Sequence, residues 1–200
     1  MRPGFDLSVY LVTDTELCGP RGVVETVRQA VAGGATLVQL RDPVAKTRAL
    51  VDEARALVAL LKPLGIPLIV NDRVDVALAA GADGVHLGQS DMTVGDARAL
   101  IGPEPILGLS ITEMADLEGA DLTGVDYLGV GPIFPTATKA DAAPAMGLDG
   151  LAAVRSASRL PIVAIGGIGL ANAGAVIAAG ADGVAVVSAI CAAPDAAAAA

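Results

Sequence analysis

Seven polar groups interrupt an otherwise apolar chain, each at or just past the end of an aliphatic run: Gln39-Leu40-Arg41-Asp42, Asn71-Asp72-Arg73, His86-Leu87-Gly88-Gln89-Ser90-Asp91, Ser110, Thr136-Ala137-Thr138-Lys139, Gly166-Gly167 and Val187-Ser188. A cation directly after a buried run needs a compensating anion, so Arg41 and Lys139 point to an anionic ligand or to an acidic neighbour. Gln39 shares a strand face with Arg41 and could read a hydrogen-bonding ring. Asp72 and Asp91, with Asn71 nearby, suit a hard cation bound through oxygen, Mg2+ shared with substrate phosphates. The competing reading of both acids is capping of the helix that follows each one. Ser110 has the same ambiguity, because Ser110-Ile111-Thr112-Glu113 matches a capping box.

Gly166-Gly167-Ile168-Gly169 before a helical stretch, together with Val187-Ser188, offers backbone N–H groups to a phosphate; a plain tight turn would look the same. The Thr136 and Thr138 hydroxyls beside the Lys139 ammonium also suit phosphate, although solvated turns share that composition. His86 is the one histidine and lies inside an aliphatic run, so it is expected to be a satisfied core residue rather than a general base. A single histidine argues against a zinc site or a His-based triad.

These groups need a scaffold that gathers strand ends. Strands are expected at residues 7–12, 36–40, 67–71, 84–87, 106–109, 127–130, 162–165 and 183–187, separated by Ala/Leu-rich helical segments such as 47–61, 74–80 and 172–179. Strand–helix alternation implies parallel strands with right-handed crossovers. Eight units in 200 residues suit a compact (β/α)8 TIM barrel, one domain over residues 1–200, whose reactive groups gather at the C-terminal strand ends. Ala-Ala-Gly-Ala-Asp-Gly-Val occurs at residues 79–85 and again at 178–184, each copy preceded by a Pro-led apolar strand, as two half-barrels would predict. An open doubly wound sheet does not predict that symmetry. The alanine-rich tail, residues 196–200, reads as an eighth helix that ends early.

Composition narrows the partners. Hydrophobic residues make up 54% of the chain and the net charge is −9, with no basic run. Two Phe, two Tyr and no Trp leave little on which bases could stack, so nucleic acid is not expected. Residues 160–181 carry no charge, but Pro161, Gly166, Gly167, Gly169, Asn172 and Gly174 cut them into strand, loop and helix, so no membrane span is expected. Cys18 and Cys191 lack metal or redox spacing and read as reduced thiols of a cytoplasmic protein; no secretory leader is expected. Small molecules are the expected partners, and the oligomeric state stays open.

Taken in order, Gln-Leu-Arg-Asp at Gln39, Asn-Asp-Arg at Asn71, His-Leu-Gly-Gln-Ser-Asp at His86, Gly-Pro-Ile-Phe-Pro-Thr-Ala-Thr-Lys at Gly131, Ala-Ile-Gly-Gly-Ile at Ala164 and Val-Ser-Ala-Ile at Val187 strongly resemble the thiamine-phosphate synthase family over essentially the whole chain. That resemblance implies a (β/α)8 transferase joining hydroxymethylpyrimidine diphosphate to thiazole phosphate, giving thiamine phosphate and diphosphate. It implies that Gln39 and Arg41 contact the pyrimidine diphosphate, with Asn71, Ser110 and Lys139 completing its clamp, and that Asp72 and Asp91 hold Mg2+. It further implies that Thr136, Thr138 and the backbone at Gly167 and Val187-Ser188 face the thiazole phosphate. Arg41 and Lys139 carry the catalytic expectation, as stabilisers of the departing anion.

Two positions depart from the family pattern. Many members have Lys two residues after the arginine, where this chain has Pro43; either Lys46 replaces it from the next turn or Arg41 and the metal suffice. The short C-terminus puts closure of the last helix in question. A same-fold alternative is a thiazole tautomerase, against which the retention of Asp72, Asp91, Arg41 and Lys139 argues. A non-catalytic phosphate-binding paralogue is the other alternative, for which Pro43 is the best support.

Overall fold

The computed structural model describes residues 4–136, 138 and 143–200. Eight parallel strands close into a barrel in sequence order: β1 (Val9–Val12), β2 (Leu37–Leu40), β3 (Leu68–Asn71), β4 (Gly84–Leu87), β5 (Ile106–Ile111), β6 (Tyr127–Val130), β7 (Ile162–Ile165) and β8 (Gly183–Val186). The expected eight strands are all present. The ring closes where Tyr10 of β1 registers with Ala185 of β8 on one side and with Leu37 of β2 on the other.

Ten helices cover the outside: α1 (Thr15–Cys18), α2 (Val23–Gly33), α3 (Thr47–Leu61), α4 (Val74–Ala80), α5 (Val94–Ile101), α6 (Met114–Gly119), α7 (Gly147–Ala157), α8 (Ala173–Ala178), α9 (Ser188–Cys191) and α10 (Ala196–Ala199), counted among the described residues. Their apolar spacing explains their seating. In α3, Leu50, Ala54, Leu57 and Leu61 form one buried stripe at helical intervals. The stripe faces the outward side chains of the strands, among them Val38, Leu40, Leu68 and Val70.

Alternate strand residues point the other way and fill the barrel with Leu7, Tyr10, Val12, Leu37, Ile69, Ile106, Tyr127, Val163 and Ala185. Both faces of each strand are therefore buried, which is why the strands read as near-continuous aliphatic runs.

The repeated Asp has a structural task at the base of the barrel. Asp83, just before β4, accepts the Leu68 N–H of β3 at 2.8 Å, and Asp182, just before β8, accepts the Ile162 N–H of β7 at 2.8 Å. Asp126 does the same for Leu107 of β5 at 2.8 Å, and the Thr36 hydroxyl for Val9 of β1 at 3.1 Å. One acceptor before each even strand thus ties down an amide of the odd strand beside it. Arg98 reaches Asp126 at 2.6 Å and Arg155 reaches Asp182 at 3.1 Å, fastening the outer helices to this ring.

The tail closes the shell instead of leaving it open. After α9 the chain forms α10, capped by the Asp195 carboxylate, which accepts the Ala197 and Ala198 N–H groups at 3.0 Å each. α10 packs on α2 at Gly33, where a Cβ would collide with the Ala197 carbonyl. The eighth layer is short, and a missing side chain on α2 lets it seat. Among the described residues no helix is long and apolar enough to cross a membrane.

Candidate active site at the barrel mouth

Arg41 leaves β2 with its amide held by the buried Thr13 hydroxyl at 3.0 Å. The neighbouring Asp42 does not neutralise it. One Asp42 oxygen accepts the Val44 and Ala45 amides at 3.1 and 3.0 Å, and the other accepts the Thr15 hydroxyl at 2.8 Å. Among the described residues Arg41 has no ion-pair partner, which favours the anionic-ligand reading of this guanidinium over the acidic-neighbour one. Pro43 lies within the turn folded on Asp42, and Lys46 is exposed at the start of α3.

At the end of β3 the Asn71 amide donates to the Asp72 carboxylate at 2.7 Å. Asp72 has φ 59, the one positive φ outside glycine among the described residues, a conformation that Asp tolerates better than most side chains do. The N-cap position of α4 is Arg73, not Asp72, and it makes no side-chain cap bond. Arg73 itself pairs with Asp75 at 2.6 Å and donates to Thr47 at 2.9 Å, which pins α3 to α4.

Asp91 does not cap α5 either. Thr93 does, accepting the Asp96 amide at 3.2 Å while its hydroxyl donates to the Asp96 carboxylate at 2.7 Å. One Asp91 oxygen accepts the Gly88 N–H at 2.7 Å, which folds the loop after β4 so that the exposed carboxylate stays at the rim. β3 and β4 are hydrogen-bonded neighbours, with Asn71 in register with His86, so Asp72 and Asp91 follow adjacent strands.

The capping alternative fails for Ser110 as well. β5 continues to Ile111, two residues past the expected end, so Ser110 is a strand residue and not a helix cap. The capping box belongs to Glu113 and Asp116. The Ser110 hydroxyl instead lies 2.9 Å from His86 Nε2, and His86 Nδ1 lies 2.9 Å from the Tyr127 hydroxyl. Both ring nitrogens are therefore satisfied, as expected for a core histidine. Burial lowers the His86 pKa to about 4, against a weaker opposing pull from Asp91, so the ring is neutral at physiological pH. The Tyr127 hydroxyl continues to Tyr10 at 2.8 Å, which in turn accepts from Gln39 Nε2 at 2.9 Å. Gln39 is thus buried with its amide anchored. Burial raises the pKa of both tyrosines, so neither ionises in this setting.

Tyr10 and Tyr127 were not foreseen as site residues. The strand alternation marks both as inward, and Gly108 and Gly129, inward positions of neighbouring strands, leave room for the Tyr127 and His86 rings; no such trace marks Tyr10.

On the far side of the mouth, the loop after β6 runs alongside the loop after β7. The Ile133 amide donates to the Ile165 carbonyl at 2.9 Å and the Phe134 amide to the Gly166 carbonyl at 3.0 Å. Gly167, at φ 64, sits so close to this strip that a Cβ would press on Phe134 and the Pro135 carbonyl. Asn172 braces the turn, accepting from the Gly169 amide and donating to the Gly167 carbonyl, both at 2.9 Å. Thr136 and Thr138, joined at 3.3 Å, follow directly, so the threonine loop and the glycine turn share one wall. Val187 and Ser188 stand at the start of α9 with Ser188 exposed. Lys139 lies outside the described residues.

Fold and site together define a (β/α)8 enzyme whose mouth is lined by polar and charged side chains from β2 to β5 and by glycine- and hydroxyl-rich loops after β6 to β8. A model described as thiamine monophosphate synthase matches residues 9–190, and the chain belongs to that family, whose members are transferases. It is 60% identical over 191 residues to the thiamine-phosphate synthase of Azorhizobium caulinodans, covering 96% of this chain and 90% of that protein. The thiamine-phosphate synthase of Xanthobacter autotrophicus is 64% identical over the same shares of the two chains. Among solved structures, thiamine phosphate pyrophosphorylase from Pyrococcus furiosus superposes with a TM-score of 0.85 at 41% identity, over 96% of this chain and 90% of that one.

Proposed function

We propose that this chain forms thiamine phosphate and diphosphate from hydroxymethylpyrimidine diphosphate and thiazole phosphate, with Arg41 and Lys139 taking the diphosphate. The observation that carries this reading is Arg41, half-buried directly after β2 with its amide held by Thr13 and with no ion-pair partner among the described residues. An unpaired, half-buried cation is costly unless a ligand completes it.

The donor set at the rim fits a hard metal ion. Two carboxylates following adjacent strands favour Mg2+, the nearby His86 having both ring nitrogens occupied; among the described residues no third His, Cys, Asp or Glu joins them. Asp72 and Asp91 would hold the ion, leaving its other positions to phosphate oxygens and water. Bound there, Mg2+ supplies positive charge to a diphosphate leaving group.

The remaining work falls to the chain's own side chains. Gln39 and Ser110 orient the aminopyrimidine ring, and Asn71 orients Asp72. Thr136, Thr138 and the backbone at Gly167 and Val187-Ser188 hold the second phosphate, placing the thiazole nitrogen in line. The C–O bond breaks with its electron pair going to diphosphate. Positive charge spreads into the electron-rich ring, and the nitrogen lone pair forms the new C–N bond. No proton has to move to a side chain, which agrees with a site whose one histidine is buried and neutral.

We assign this activity to one barrel domain working in the cytoplasm, a placement supported by the buried free thiols of Cys18 and Cys191. Coupling both substrates with and without EDTA tests the reading. Metal-dependent thiamine phosphate formation is expected. Metal-independent thiazole isomerisation would replace it with the tautomerase, and binding without turnover would replace it with a phosphate-binding paralogue.

A further inference from the structure

Five side chains form one continuous hydrogen-bonded chain across the barrel interior. Gln39 Nε2 meets the Tyr10 hydroxyl at 2.9 Å, Tyr10 meets Tyr127 at 2.8 Å, Tyr127 meets His86 Nδ1 at 2.9 Å, and His86 Nε2 meets Ser110 at 2.9 Å. The three middle residues are at most 7% exposed, so water does not substitute for any link between them. Glycine makes the path fit. A Cβ at Gly108 would overlap the His86 and Tyr127 rings, and one at Gly129 would press on His86.

Each link constrains the next. A hydroxyl has one hydrogen to give and a neutral imidazole has one N–H. With Gln39 donating inward, Tyr10 must donate to Tyr127 and Tyr127 to His86 Nδ1. The imidazole hydrogen then sits on Nε2 and points to Ser110 Oγ. Ser110 is left with its own hydrogen for the mouth, and Gln39 with its carbonyl oxygen.

We propose that Tyr10, Tyr127 and His86 form a one-way hydrogen-bond relay that fixes which group Gln39 and Ser110 present to the substrate: an acceptor from Gln39 and a donor from Ser110. That pair complements the amine and ring nitrogen of an aminopyrimidine. This last step rests on the ring-binding role given above to Gln39 and Ser110. The three middle residues are positioning residues, which set the direction of hydrogen bonding without touching the substrate's reacting atoms.

The single histidine makes the relay observable. In protein labelled with 15N-histidine and free of substrate, the ring signals should report the Nε2–H tautomer. Gln39→Glu at pH 8 replaces a donor by a carboxylate acceptor, so every link should reverse and His86 should move to the Nδ1–H tautomer. Tyr127→Phe removes the donor to Nδ1 at nearly constant volume, so both tautomers should appear. An Nδ1–H tautomer in the wild type, or Nε2–H alone in both variants, would overturn the relay whatever happens to turnover.

Steady-state kinetics test the link to substrate. Tyr127→Phe should raise KM for the pyrimidine diphosphate about tenfold and leave KM for thiazole phosphate within about twofold. A purely structural role would lower Tm without this split. If the tautomers respond as expected while the pyrimidine KM stays constant, the relay stands and the assignment of Gln39 and Ser110 to the pyrimidine is what fails.

Discussion

The Ser110 hydroxyl stands 2.9 Å from His86 Nε2, so a rim residue of β5 is fastened to an imidazole of β4 that never needs to ionise. The pairing removes Ser110 from helix capping and His86 from acid–base catalysis in one stroke. It also predicts how stability depends on pH.

His86 has a folded pKa of about 4 against 6.5 when unfolded, because burial disfavours the cation. The unfolded chain therefore binds the extra proton first. Stability from this residue is fully present above about pH 6.5 and is lost as pH falls toward 4, by roughly 3 kcal/mol in total. Tm followed between pH 7 and 4.5 should fall less steeply in His86→Gln than in the wild type. Parallel curves would show that burial of the imidazole does not control acid stability here.

Arg41→Ala should lower the turnover number by about 10²–10³-fold, the scale for removing one charge-stabilising group. Because Arg41 has no ion-pair partner among the described residues, Tm should stay within a degree or two. A change in turnover below about threefold would take Arg41 out of the chemistry.

Asp91 and Thr93 separate catalysis from capping two residues apart. Thr93→Ala removes the α5 cap and should cost about 1 kcal/mol of stability with turnover of the folded enzyme retained. Asp91→Asn should do the reverse, with a large loss of turnover and a small change in Tm. Equal effects in both assays for the two variants would contradict the division of labour.

At the base of the barrel, Asp182→Ala orphans the Ile162 amide and removes the ion pair of Arg155, which keeps its bonds to the Ser158 and Leu160 carbonyls. A loss of about 2–4 kcal/mol is expected in denaturant unfolding, with kcat per folded molecule unchanged. A selective fall in kcat would place this ring of acceptors in contact with the mouth.

The barrel was legible because each βα unit repeats the same local rules. The 79–85 and 178–184 repeats even mark two of the base acceptors, Asp83 and Asp182. The mouth residues were legible as types at strand ends. Their competing roles were not, because a cap depends on where a helix begins. Thr93 supplants Asp91 by starting α5 later, and Glu113 supplants Ser110 as the N-cap, with Asp116 as its capping-box partner. The Tyr10–Tyr127 contact spans 117 residues of sequence and leaves no local trace, whereas the His86–Tyr127 contact is marked by the glycines at 108 and 129. The seating of α10 depended likewise on one absent side chain, at Gly33.

Calorimetric titration of Mg2+ into enzyme saturated with the pyrimidine diphosphate, beside the Asp72→Asn/Asp91→Asn double variant, tests the central claim most directly. The account predicts saturable uptake by the wild type and its loss in the double variant. No uptake by the wild type, or the same uptake by both proteins, would contradict it.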